Sequence, residues 1–300
     1  MSSHSLSLVQ SAAIVRPGDG SPPHRLLSLA PMAKKKKQKP AWLSILPGNL
    51  APSRFTLDEL RHAKAAHAFL TEKFEGPPGF VEYLRAYRFL LFFGIACVAE
   101  NKYPAFTRCW KDLEKLFMRD PAFGDGVFVQ SWALMDFPFG PERQTALDYF
   151  EDFLKGADAG PGPQRFIDEA RKSRLGLYQD IGRTKTVANF RELISGRTIA
   201  AFPSVDHYDK GEILLIRAIR HGDGVFLWGD PKGFPKETKT HVEDMVRRKL
   251  FYFDDEETPE AQFEAFMKLA GPYWMSCVTK NEDTPILDPD HYLTYFDRRA

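Results

Sequence analysis

Cysteine is scarce in this chain. Its three residues, Cys97, Cys109 and Cys277, are odd in number and lie far apart. That excludes a dense disulfide framework and leaves free thiols on apolar helical stripes, as in a reducing compartment. Long hydrophobic runs are also missing. The longest, Phe89 to Ala99, has eleven residues, well short of the roughly 18 to 20 needed to cross a bilayer. No apolar core follows a basic start near Met1, so the start does not read as a secretory signal. The chain contains no Gly-x-Gly-x-x-Gly, no Walker pattern, no Gly-x-Ser-x-Gly and no Cys-x-Cys. These absences point to a cytoplasmic protein with no membrane partner, no cofactor, no metal and no recognisable catalytic residue.

The 300 residues leave room for a substantial core. The net charge of +1 hides an asymmetry. Residues 1–54 carry eight Lys and Arg against the single acid Asp19, and the remainder carries a net charge of −6. A mildly acidic body argues against a broad nucleic-acid-binding face on it. Residues 1–54 form a basic tail rich in Pro, Ser and Lys, without sustained periodicity, and read as disordered. Within it Met32 opens MAKKKKQKPAW and reads as an alternative start to Met1.

The rest divides into a helical domain (55–172), a small antiparallel β module (173–230), C-terminal helices (231–280) and a polar tail (281–300). The expected fold class is α+β, with a helical N-terminal domain, a curled antiparallel sheet or barrel, and C-terminal helices. Thr56-Leu57-Asp58-Glu59 is a capping box that opens a helix expected to run to about Phe74. A second helix, about Gly79 to Glu100, is apolar around much of its circumference and reads as the central one. Others are expected at Pro104–Met118, Glu142–Leu154, Phe166–Lys172, Lys236–Leu250 and Pro259–Val278. In the β module Leu175, Leu177 and Ile181 alternate with Gly176, Tyr178 and Asp180, the period of a half-buried strand. Ser195-Gly196 and His221-Gly222-Asp223-Gly224 are turn signals. Ile213–Ile219 reads as the central strand, Val225–Trp228 as the last, with a loop over Gly229–Gly233. Pro203 ends the third strand.

Trp132-Ala133-Leu134-Met135-Asp136-Phe137, then Arg143-Gln144-Thr145-Ala146-Leu147, Ser173-Arg174-Leu175-Gly176-Leu177-Tyr178 and Gly211-Glu212-Ile213-Leu214-Leu215-Ile216-Arg217 follow one another in a recognisable order. This order resembles the central region of bacterial SEC-C-domain proteins, over about Val127 to Gly229. The resemblance implies an architecture rather than an activity. The zinc-binding cysteine motif of that family is absent, so no zinc ligand carries over.

Few residues are candidates for chemistry. His62 and His67 are five apart, not the four that puts two ligands on one helix face. His207 lies in the loop before the fourth strand, where small barrels present ligands, although an ordinary loop is the simpler reading. The cysteines lack an activating base and read as core. Asp148, Glu151 and Asp152 share a helix at spacings that suit a cation, but lack the matching Glu-x-x-His helices, and read as a solvated face. Asp254–Glu257 reads as favourable charge before a helix capped by Thr258.

Two features suggest a nucleic-acid partner, either RNA or DNA. One is the lysine arm Lys34, Lys35, Lys36, Lys37 and Lys39. The other is the set Phe190, Arg191, Arg197, Tyr208, Arg217, Arg220 and Trp228 on the β module, which would stack bases and contact phosphates if exposed. Against this, the aromatics can pack under the flanking helices. The sequence therefore leads to a non-enzymatic binding or adaptor protein with a protein partner. A nucleic-acid-associated protein is the alternative, and a hydrolase with a site in the helical domain is the second. Covered aromatics favour the adaptor; exposed ones on a basic face favour nucleic acid.

Overall fold

The computed structural model describes residues 56–62, 71–117, 126–156, 161–202, 208–248 and 259–279, apart from positions 72, 75 and 223. The lysine arm, His67, Pro203, His207, Asp254–Glu257 and Thr258 lie outside the described residues.

Helix α1 (Leu57–Arg61) opens on the expected capping box, with the Thr56 hydroxyl accepting from the Glu59 N–H and the Glu59 carboxylate accepting from the Thr56 N–H. It is shorter than expected and ends where His62 turns to extended backbone. Helix α2 (Pro78–Ala99) is the central one: Phe89, Leu90, Leu91, Phe92, Phe93, Ala96 and Cys97 are buried right around its circumference. Helix α3 (Pro104–Phe117) buries Phe106, Cys109, Trp110, Leu113 and Phe117, one stripe at helical spacing. All nine residues of α4 (Val127–Met135) are buried. It lies so close to α2 that a Cβ on Gly94 would stand 2.4 Å from Leu134. Helix α5 (Ala146–Lys155) begins four residues later than expected, because Thr145 and Asp148 form a second capping box. Helix α6 (Pro161–Lys172) leads into the sheet.

The sheet comprises β1 (Leu175–Arg183), β2 (Ala188–Glu192), β3 (Thr198–Ala201), β4 (Ile213–His221) and β5 (Gly224–Gly233). Its order is β3-β2-β1-β4-β5, with antiparallel neighbours throughout. The sheet curls until Phe202, just past β3, bridges Phe226 of β5 in parallel, but it does not close into a barrel. The strand at the centre is β1, not β4 as expected.

Curling on one side and helices on the other give β1, β4 and β5 two buried faces. The inner face gathers Tyr178, Phe190, Tyr208, Leu214, Ile216 and Leu227 into a small core. The outer face of β1, β4 and β5, with Leu175, Leu177, Leu215, Ile219, Phe226 and Trp228, joins the main core that the helices form. This explains the failure of the half-buried pattern in β1, where Leu175 through Tyr178 are all buried. A bulge between Asp180 and Gly182 then turns the strand, so Asp180 faces inward and Ile181 outward. The stretch expected as a loop after Trp228 continues β5. A second irregularity, opposite Leu215–Arg217, absorbs Gly229 at φ +77° and accommodates Pro231.

After α7 (Lys236–Arg248), the single helix expected over Pro259–Val278 is two, α8 (Pro259–Leu269) and α9 (Gly271–Val278). Pro272 has no N–H to continue the α8 ladder, and is accommodated instead in the first turn of α9, where that N–H has no intrahelical partner to lose.

Candidate functional site

A fully buried ion pair lies where the sheet meets the helices. Arg217 sits on the outer face of β4, opposite Trp228 of β5 and Leu175 of β1, and is fully buried. Its guanidinium pairs with the Asp136 carboxylate at the end of α4. It also donates to Ser173 Oγ at 3.0 Å, between α6 and β1, and contacts Met135 Sδ at 3.3 Å. Rings enclose the group. Trp228 packs edge-on against Tyr87 and Tyr83, with centroids 4.2 and 4.8 Å apart, and Tyr83 meets Phe166 at 4.7 Å.

Burial lowers the Arg217 guanidinium to about 10, while Tyr83 and Tyr87 act in the opposite sense, so it remains a cation at neutral pH. Burial likewise pushes the Tyr83 phenol well up. A buried arginine needs a counter-charge, and one lone Arg within the apolar run Ile213–Ile219 signals as much. Asp136, at the end of an otherwise apolar helix, is the matching signal; neither Asp136 nor Ser173 was singled out from the sequence. Both lie in the stretches that carry the SEC-C resemblance, as do Arg217 and Trp132.

Neighbouring charges are also committed. Arg174 pairs with Glu192 at 2.6 Å, and Ser195 Oγ donates to the same Glu192. Arg183 pairs with Asp180 at 2.6 Å, donates to the Tyr208 carbonyl and lies 4.7 Å over the Tyr208 ring. The carboxylates Asp148 and Glu151 converge as their spacing allows, but on a guanidinium: Arg171 of α6 pairs with both, donating to Asp148 at 2.8 and 3.0 Å. Burial works to raise the Asp148 carboxyl, yet bonds from Thr145 and Arg171 outweigh it and leave it below its ordinary value. Bonds from Arg171 and Gln164 lower Glu151. Asp152 bonds instead to Lys155 at 2.8 Å.

All three cysteines are buried and free. Burial raises the thiols of Cys97 and Cys277 to about 12 and that of Cys109 well above its usual value. None is poised as a thiolate. His62 is exposed. Among the described residues, no group of three His, Cys, Asp or Glu side chains could hold a metal ion. A shallow depression between α3 and α4 is lined by Trp110, Leu113, Val129, Gln130 and Ala133, an apolar wall with one amide.

The residues expected on a nucleic-acid face separate into two groups. Phe190, Tyr208, Arg217 and Trp228 are buried, so they do not present the exposed face that base stacking and phosphate contact require. Trp228 and Arg217 lie under the helices, and Phe190 and Tyr208 line the inner core of the curl. Arg191, Arg197 and Arg220 are exposed. Arg191 donates to Gln179 Oε1 at 2.6 Å. Because Arg191↔Thr198 and Asn189↔Ala200 are cross-strand pairs, the outer face of β2 and β3 is polar where helices do not cover it.

No family model, no curated protein and no solved structure matches this chain.

Proposed function

We propose that the chain is a non-enzymatic binding or adaptor protein whose partner is another protein. The observation that carries this reading is the covering of the sheet aromatics. Trp228 is enclosed by Tyr83 and Tyr87 of α2, and Phe190 and Tyr208 face the inner core. A sheet that stacks bases keeps such rings in solvent. Support for a non-enzymatic role comes from the polar groups, since the buried charges are paired with one another and the depression between α3 and α4 is apolar. The buried thiols suit a soluble, cytoplasmic setting. The gathering of Asp136, Ser173 and Arg217, each from a stretch that carries the resemblance, is what supports a shared architecture with SEC-C-domain proteins over Val127 to Gly229.

A second reading, association with RNA or DNA, keeps the support of the exposed Arg191, Arg197 and Arg220 and of the lysine arm Lys34–Lys39. Affinity capture with the full chain as bait, with and without nuclease, separates the two. Proteins retained after nuclease treatment, and still retained by a bait lacking residues 1–54, are the expected result. Loss of all bound protein with nuclease, together with salt-sensitive binding of a labelled oligonucleotide, would establish the second reading instead.

A further inference from the structure

We infer that the Arg217–Asp136 pair is a docking key, which fixes one seating of the sheet on the helices without adding net stability. The faces that meet here are otherwise apolar: Leu175, Leu177, Leu215 and Trp228 on the sheet against Tyr83, Tyr87 and Phe166 on the helices. Such contacts are not directional, and a two-residue slip would still present the same face of every strand. The same slip moves Arg217 by about 6–7 Å, far enough to leave a buried guanidinium and a buried carboxylate each without a partner.

Three segments must arrive together for the pair to form. Asp136 follows α4, Ser173 joins α6 to β1, and Arg217 is in β4, 81 and 44 residues away from them in sequence. Among the described residues, Asp136 Oδ1 and Arg217 Nε have no hydrogen-bond partner. Two buried charges that are only partly satisfied recover little of what they lose on leaving water. Apolar side chains of similar volume would therefore hold the layers together as well, and would specify their seating less.

The test compares Arg217→Met, Asp136→Leu and the double variant in the full chain. Each single variant leaves one buried charge unpaired, and its thermal midpoint should fall by roughly 10 °C. The double variant should return to within about 3 °C of the unaltered chain's midpoint. It should also show more than one amide resonance for residues of β1 and β4, or faster hydrogen exchange there than the unaltered chain. A double variant that stays well below the unaltered chain's midpoint, or fails to fold, would make the pair a net stabiliser and overturn the inference. A stable double variant with one set of amide resonances and unaltered exchange would overturn it equally, because seating would then be fixed without the pair.

Discussion

Gly271 is a residue with no space for a side chain. A Cβ there would stand 2.2 Å from the Trp132 indole, while that indole donates through Nε1 to the Lys268 carbonyl at the end of α8. The glycine and the tryptophan thus hold the α8–α9 corner against α4 as a matched pair. Gly271→Ala should cost about 1–3 kcal/mol through overpacking, read as a lowered thermal midpoint, and an unchanged midpoint would show that the corner has slack. The apolar stripe predicts one helix straight through Pro272 and gives no sign of Gly271, because what opposes Gly271 is 139 positions earlier in the chain. The cysteines were the opposite case. Their place on apolar stripes is a local property, and burial followed from it. With Cys97 and Cys277 raised to about 12 by burial, and Cys109 also raised well above its usual value, the native chain should resist a thiol reagent. Labelling of all three only on unfolding in urea is expected; rapid labelling of any one in buffer would contradict its burial.

At the scale of elements, α5 and α6 are joined by the Arg171 clamp, and its pH dependence has a definite sign. Asp148 and Glu151 are both lowered in the folded chain. Their contribution is therefore complete above the unfolded carboxylate range, near 4, and is lost as pH falls through it. The difference in urea midpoint between the parent chain and Arg171→Ala should be clear at pH 7 and shrink towards pH 3. A difference that is the same at both values would remove the carboxylates from the account. Spacing along α5 placed the carboxylates on one face correctly. It could not supply their counter-ion, because the seating of α6 against α5 is set by packing and not by either helix's own pattern. The strands show the same boundary. Turn residues at Ser195-Gly196 and His221–Gly224 located the hairpins, since positive φ at Gly196 and Gly222 is a local demand. The alternation in β1 misled, because its outward side is buried under helices and Asp180 bonds the Gly182 N–H and Arg183 across a bulge.

For the molecule as a whole, α+β architecture was legible because the hydrophobic period changes from helical to alternating near Ser173 and back after Gly233. What the period did not convey is how far helices and sheet share a core. One apolar cluster runs from Leu60 of α1 to Val278 of α9 and takes in the outer face of β1, β4 and β5. The inner face has only a small core of its own, from Tyr178 to Leu227. Cut free as residues 173–233, the sheet would expose Leu175, Leu177, Leu215, Ile219, Phe226 and Trp228 and would carry Arg217 without Asp136. A sheet of five short strands with one covered face seldom holds together in water when its other face is also apolar. The fragment should therefore lack a cooperative thermal transition and near-ultraviolet circular dichroism. A chain from which residues 1–54 are removed should keep the parent midpoint, because that tail supplies no amphipathic face and the first capping box begins at Thr56. Cooperative unfolding of the 173–233 fragment would mean that the sheet is a self-sufficient module which the helices merely adorn. The buried Arg217–Asp136 contact would then have to be explained without a shared core.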